Sequence, residues 1–172
     1  YDAVFDKAEL TSLAVTSAEI EEAEKEVPIE LKAAIYLAKR NIETFHSAQR
    51  FEGKKVDTME GVTCWQKAVA IEKVGLYIPG GTAPLFSTVL MLAIPAKIAG
   101  CKEIVLCTPP DKNGKVHPAI LFAARLAGVS KIFKVGGVQA IAAMAYGTES
   151  IPKVYKIFGP GNQYVTAAKQ LV

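Results

Sequence analysis

Three strand–glycine turn–helix units and a helix-rich first third predict an α/β fold: a Rossmann-like open parallel sheet preceded by an N-terminal helical region. The three turns carry Gly80-Gly81, Gly136-Gly137 and Gly159-Pro160-Gly161-Asn162. Turns of this kind emerge at the carboxyl ends of parallel strands, where ligands bind. One crevice is therefore expected to be lined three times by backbone that approaches a ligand closely.

Residues 1–70 read as helices and loops belonging to a unit completed by sequence elsewhere, and residues 71–172 as the sheet domain. Thr16-x-x-Glu19 is a capping-box pattern ahead of Ile20. Pro28 suits a first helical turn. After it, Leu31, Ile35, Ala38, Ile42 and Phe45 recur at helical spacing. They predict an amphipathic helix over Pro28 to Arg50 whose apolar stripe packs on something. Phe51 to Lys67 lacks clear periodicity, and Gly53 and Gly61 make it a loop or irregular strand.

From Ile71 onward, strand and helix patterns alternate. Val74–Ile78 is a strand ending in Pro79-Gly80-Gly81. Ser87 caps a helix from Thr88 to Ala99, closed by Gly100, with Pro95 bending it or delaying its start. Glu103–Cys107 is the next strand, stopped by Pro109-Pro110, and Asp111 to Gly114 is a turn. Pro118 opens a helix through Leu126, with His117 as its cap and Gly128 at its end. Lys131–Val135 is a strand leading through the second glycine pair to a helix over Val138–Tyr146. Val154–Phe158 is the last strand, and a helix starts at Gln163. Such alternation implies right-handed crossovers and a parallel sheet, without giving the strand order.

Composition narrows the function. Twenty basic against 17 acidic residues give a net charge of +3, too mild and too mixed for a nucleic-acid or anionic-membrane binder. At 51% hydrophobic residues, a real core is available. Cys64, Cys101 and Cys107 have no metal spacing. They read as reduced, buried and inert thiols of a cytoplasmic protein, and Trp65 as packing. No signal peptide or membrane-spanning run stands out. Tyr1 is not an initiator residue, and Val172 stops within an apolar helical pattern, so a piece of a longer chain is expected.

No turn has the Gly-x-Gly-x-x-Gly spacing, and there is no Walker lysine motif. The candidate ligand contacts are the polar side chains beside the turns: Tyr77, Gln139 and Asn162. Carboxamides at helix starts either cap free backbone donors or read a ligand's amide and ribose hydroxyls. Tyr77 either stacks on a flat ring or completes a core. His46 and His117 read as surface or cap residues. No nucleophile–base–acid set assembles.

Two runs, Val74-Gly75-Leu76-Tyr77-Ile78-Pro79-Gly80-Gly81-Thr82-Ala83-Pro84 and Pro95-Ala96-Lys97-Ile98-Ala99-Gly100-Cys101, carry a resemblance. Ser87 to Leu92, Gly136-Gly137-Val138-Gln139-Ala140-Ile141-Ala142, Ala145-Tyr146-Gly147-Thr148 and Phe158-Gly159-Pro160-Gly161-Asn162 extend it. Together they closely resemble the histidinol dehydrogenase family, continuously from about Gly61 to Val172. The resemblance implies a zinc-dependent oxidoreductase of L-histidine biosynthesis. It would oxidise L-histidinol through L-histidinal to L-histidine and reduce two NAD in turn. It also implies that Tyr77, Gln139 and Asn162 match NAD-contacting positions. The family's zinc ligands, its glutamate–histidine acid–base pair and its Gln-x-x-His motif are expected beyond Val172, so neither His46 nor His117 inherits those roles. No catalytic or metal residue is then expected in this chain. An intertwined homodimer is implied as well. Two other readings stay open at this point: a non-catalytic nucleotide-binding or assembly module, and a related dehydrogenase of another amino alcohol.

Overall fold

The computed structural model describes Leu10, residues 12–81 and residues 83–172. Tyr1 and Thr82, both singled out above, lie outside the described residues. The sheet has four strands, β3 (Lys73–Tyr77), β4 (Glu103–Thr108), β5 (Lys131–Lys134) and β6 (Lys156–Phe158). All pair in parallel, in the order β5-β4-β3-β6. The helices are α1 (Ser17–Glu26), α2 (Ile29–Ala48), α3 (Phe86–Ala99), α4 (Pro118–Ala127), α5 (Gly137–Tyr146) and α6 (Gln163–Leu171). A separate antiparallel hairpin joins β1 (Lys55–Met59) to β2 (Val62–Trp65).

Alternation along the strands sorts the core into two layers. Val74, Leu76, Ile78, Ile104, Leu106 and Ile132 face one side, packed with residues of α1 to α4. Tyr77, Val105, Cys107, Phe133 and Val135 face the other, with Ala140, Ile141 and Met144 of α5 and Val165 and Ala168 of α6. The crossovers explain this division. From β3, the chain steps through α3 to β4 and through α4 to β5. It then returns across the opposite face through α5 to β6. Right-handed connections that cross the sheet in opposite directions must place their helices on opposite faces. Gly75 makes one of these contacts possible, because a Cβ there would lie 2.6 Å from Met144 Sδ.

The helical arm belongs to the first layer. The capping box is formed as its spacing predicts: Thr16 Oγ1 accepts from Glu19 N–H, and Glu19 accepts from Thr16 N–H. Pro28 is the N-cap of α2. Ile35 is buried, and Leu31, Ala38 and Ile42 pack on the core. Phe45 departs from the expected stripe and lies exposed against the His46 ring. Leading into α1, Val15 N–H donates to Ile132 and Lys134 N–H donates to Leu13, which covers the edge of β5.

Several local expectations are corrected. Leu85 rather than Ser87 is the N-cap of α3, and it makes no side-chain cap bond. Its carbonyl instead accepts from the N–H groups of Thr88 and Val89. Pro95 does not delay the start, since α3 begins at Phe86 and includes it. The hydrogen bond that Pro95 removes would have ended on the carbonyl of Met91, an exposed residue. The stretch expected to be loop or irregular strand holds the hairpin, turned at Gly61 with a left-handed φ of 76°. Every residue of both hairpin strands is exposed. Cys64 and Trp65 are therefore not buried, because among the described residues no layer packs against either face of the hairpin. Cys101 is half-buried and Cys107 is buried in the second layer. Burial pushes the Cys107 thiol up to about 12, so it stays protonated. No helix among the described residues is long and apolar enough to cross a membrane.

Candidate functional site

The strand order places a topological switch point between β3 and β6. Connections from these neighbours run to opposite faces, the arrangement at which open α/β sheets bind ligands beyond the strand carboxyl ends. Tyr77 ends β3 and the Gly159 turn follows β6, so two of the predicted features meet there.

Close packing holds the turns in register. Gly159 has φ 134°, and a Cβ there would collide with the Tyr77 carbonyl. Only glycine lets the chain leave β6 so close to β3. On the other side of β3, Pro109 wedges between two glycine turns. A Cβ on Gly80 would lie 2.7 Å from Pro109 Cγ, and one on Gly136 2.6 Å from Pro109 Cβ. The role of Pro109 was not visible in the sequence, where it reads only as a strand stop. A Cβ on Gly81 would meet nothing within 4 Å, so this glycine faces open space.

Tyr77 links the turns. It is 4% exposed and packs within the second layer. Its hydroxyl accepts from the Gly137 N–H at 3.0 Å, across the sheet at the start of α5. One tyrosine thus touches the Gly159 turn with its backbone and the Gly136-Gly137 turn with its side chain. Tyr77 completes the core, as one of its two sequence readings expects.

Gln139 lies half-buried in the first turn of α5. That helix starts at Gly136 without a side-chain cap bond. Asn162 is exposed and caps α6, its Oδ1 accepting from the N–H groups of Tyr164 and Val165 at 3.1 Å each. The capping role weighed from sequence is therefore real. Capping uses Oδ1 and does not engage the Nδ2 group, which carries two N–H donors. His117 also caps as expected, with Nδ1 accepting from Ala119 N–H at 3.2 Å.

A cavity of about 450 Å³ opens at the carboxyl ends of β3 and β4, bordered by Gly80, Gly81, Thr108 and Pro109, and Tyr77, Gln139 and Asn162 do not line it. Its wall from α1 is acidic, with Glu19, Glu22 and Glu26, and its far rim carries Asp111, Lys115 and His117. Glu19 is held there by Lys134, a 9% exposed residue of β5. Burial pushes the Glu19 carboxyl up, but hydrogen bonds from Lys134 and Thr16 outweigh it and leave it below the usual range. A larger cavity of about 770 Å³ lies between the end of α2, the hairpin strand β2, α3 and Phe158. It is away from the glycine turns and mostly apolar. Among the described residues, no group of three or more histidine, cysteine, aspartate or glutamate side chains gathers to hold a metal.

Comparison with known proteins agrees with this architecture. The histidinol dehydrogenase family model matches residues 1–172. The chain is 99% identical over 172 residues to a histidinol dehydrogenase of Bacteroides fragilis, covering all of this chain and 40% of that protein. It is 84% identical to the Bacteroides thetaiotaomicron histidinol dehydrogenase, again over all of this chain and 40% of the relative. The crystal structure of histidinol dehydrogenase from Elizabethkingia anophelis superposes with a TM-score of 0.96 at 58% identity, over 99% of this chain and 40% of that one. The chain thus spans about 40% of the length of the relatives it matches. On a full-length family match and near-identical relatives, this chain belongs to the histidinol dehydrogenase family.

Proposed function

We propose that this chain is the NAD-binding part of an enzyme that oxidises L-histidinol through L-histidinal to L-histidine. The observation that supports it most is the convergence on Tyr77, with its hydroxyl on Gly137 and its carbonyl against Gly159. In this reading residues 71–172 carry the cofactor-binding turns, α1 and α2 pack on that unit, and the rest of residues 1–70 belongs to a unit completed by other sequence.

The described residues fit a dinucleotide. Gly81 faces open space at the end of β3, where backbone can approach a dinucleotide closely. The acidic wall of the 450 Å³ cavity disfavours phosphate and suits ribose hydroxyls. The glycine turns bring backbone N–H groups to the cofactor. The Gln139 carboxamide and Asn162 Nδ2 fix its orientation, and buried Tyr77 keeps the two turns at a constant separation. When bound, NAD accepts the hydride that each oxidation releases. The reading leaves zinc, the acid–base pair and most substrate contacts to residues outside this chain, within a cytoplasmic homodimer.

The test uses the full-length enzyme with zinc. About two NADH should form per histidinol consumed, one for each oxidation step. One equivalent, or turnover of another amino alcohol in preference, overturns the proposed reaction. Asn162→Ser keeps a capping oxygen and removes the amide donor. It should weaken NAD binding while the melting temperature barely moves. A change in melting temperature alone would leave Asn162 a cap and nothing more.

A further inference from the structure

The Gly159–Asn162 turn has few restraints of its own. Gly159 and Gly161 lack side chains, and Pro160 has no N–H to donate. Beyond the packing of Gly159 against Tyr77, what holds the turn comes from α6. Asn162 caps the helix, Val165 fills the space where a Gly161 Cβ would be, and Lys169 reaches back from nearly two turns further on. Helical side chains lean toward the N-terminus, so the lysine stem runs along Val165 toward the turn. Its Nζ donates to the Gly159 carbonyl at 2.5 Å. The side chain is half-buried, and burial lowers its affinity for a proton, which makes a charge-assisted partner valuable.

We propose that Lys169 is a positioning residue for the cofactor site: its ammonium anchors the Gly159 carbonyl and so holds the turn and Asn162 in the binding arrangement. This inference rests on the reading of that turn as a wall of the NAD site. Lys169 would act through the turn and need not touch the cofactor.

The experiment compares Lys169→Met, Lys169→Arg and Asn162→Ser in the full-length enzyme. NAD affinity is measured by calorimetry without histidinol, amide exchange is followed over residues 159–163, and KM for histidinol is recorded. Losing one charge-assisted bond should weaken NAD about five- to tenfold in Lys169→Met and speed exchange of the turn. Lys169→Arg, which keeps a cationic donor, should stay within about twofold of wild type in both. KM for histidinol should hold steady. Unchanged NAD affinity in Lys169→Met, with Asn162→Ser weakened, overturns the role of Lys169 but leaves the cofactor reading intact. Unchanged affinity in all three variants overturns both. If Lys169→Met does not fold, Lys169→Gln takes its place under the same criteria.

Discussion

The hairpin β1–β2 and the sheet β3–β6 use similar residues and meet opposite fates. Val56, Met59, Val62 and Trp65 of the hairpin are all exposed, Trp65 at 64%. Val74, Leu76 and Tyr77 of β3 are each 4% exposed or less. Strand propensity is comparable in the two. The difference is that β3 has helices on both faces and strands on both edges, whereas among the described residues the hairpin has neither. Propensity makes a strand, but packing decides what the strand costs or contributes. The same contrast separates the cysteines: Cys107 is buried and held protonated, while Cys64 faces solvent.

The sharpest way to break this comparison is at the sheet's turns. Gly159→Ala forces a Cβ into the Tyr77 carbonyl at a left-handed φ and should destabilise the protein by about 3 kcal/mol or more. A loss below 1 kcal/mol by chemical denaturation would show that the turn can shift away from β3. Next comes Glu19→Gln, which removes the carboxylate facing nearly buried Lys134 and weakens the capping box. About 1 to 2 kcal/mol should be lost, since the acid is a third exposed. Tyr77→Phe keeps the ring but leaves the Gly137 N–H without its acceptor, at about 1 kcal/mol. That variant should also weaken NAD binding, because the two turns are no longer tied. Trp65→Ser in the hairpin should change stability by no more than about 0.5 kcal/mol. A larger loss in the full-length enzyme than in this chain would mean that other sequence covers the hairpin.

The pH dependence should be carried by the sheet layer. Glu103 accepts from Lys131 and lies near Lys73, and these contacts hold its carboxyl below the usual 4.5. Glu19 is shifted the same way. A lowered folded-state value means that the stabilisation is fully present above about pH 4.5 and is lost as pH falls through the folded values. Acid unfolding should therefore begin below pH 4.5 and flatten in Glu19→Gln, checked by circular dichroism across the titration.

Much of this was legible in the chain. Hydrophobic periodicity and glycine punctuation placed the four parallel strands and their helices within a few residues, since both signals are local. The Thr16 box and the His117 cap were readable because a cap and its partner lie within three residues. Ser87 failed for the opposite reason: the start of α3 is set by how Leu85 and Phe86 pack on the core, which spacing does not show. Trp65 and Cys64 were misplaced because apolar character alone does not say whether another layer exists to bury it.

The candidate site divides in the same way. The sequence alone determined that three glycine turns follow parallel strands and that Tyr77, Gln139 and Asn162 stand beside them. Its resemblance to a known family tied those turns to NAD. Only the tertiary structure decided that β3 and β6 are neighbours, and hence where the crevice lies. It also showed that Pro109 spaces two turns, that Tyr77 bridges to Gly137 and that Lys169 grips Gly159. Turns and caps arise from contacts a few residues apart, which the chain carries in its order. β3 and β6 pair residues 82 apart and Tyr77 reaches Gly137 across 60, and only the packed layers bring those together.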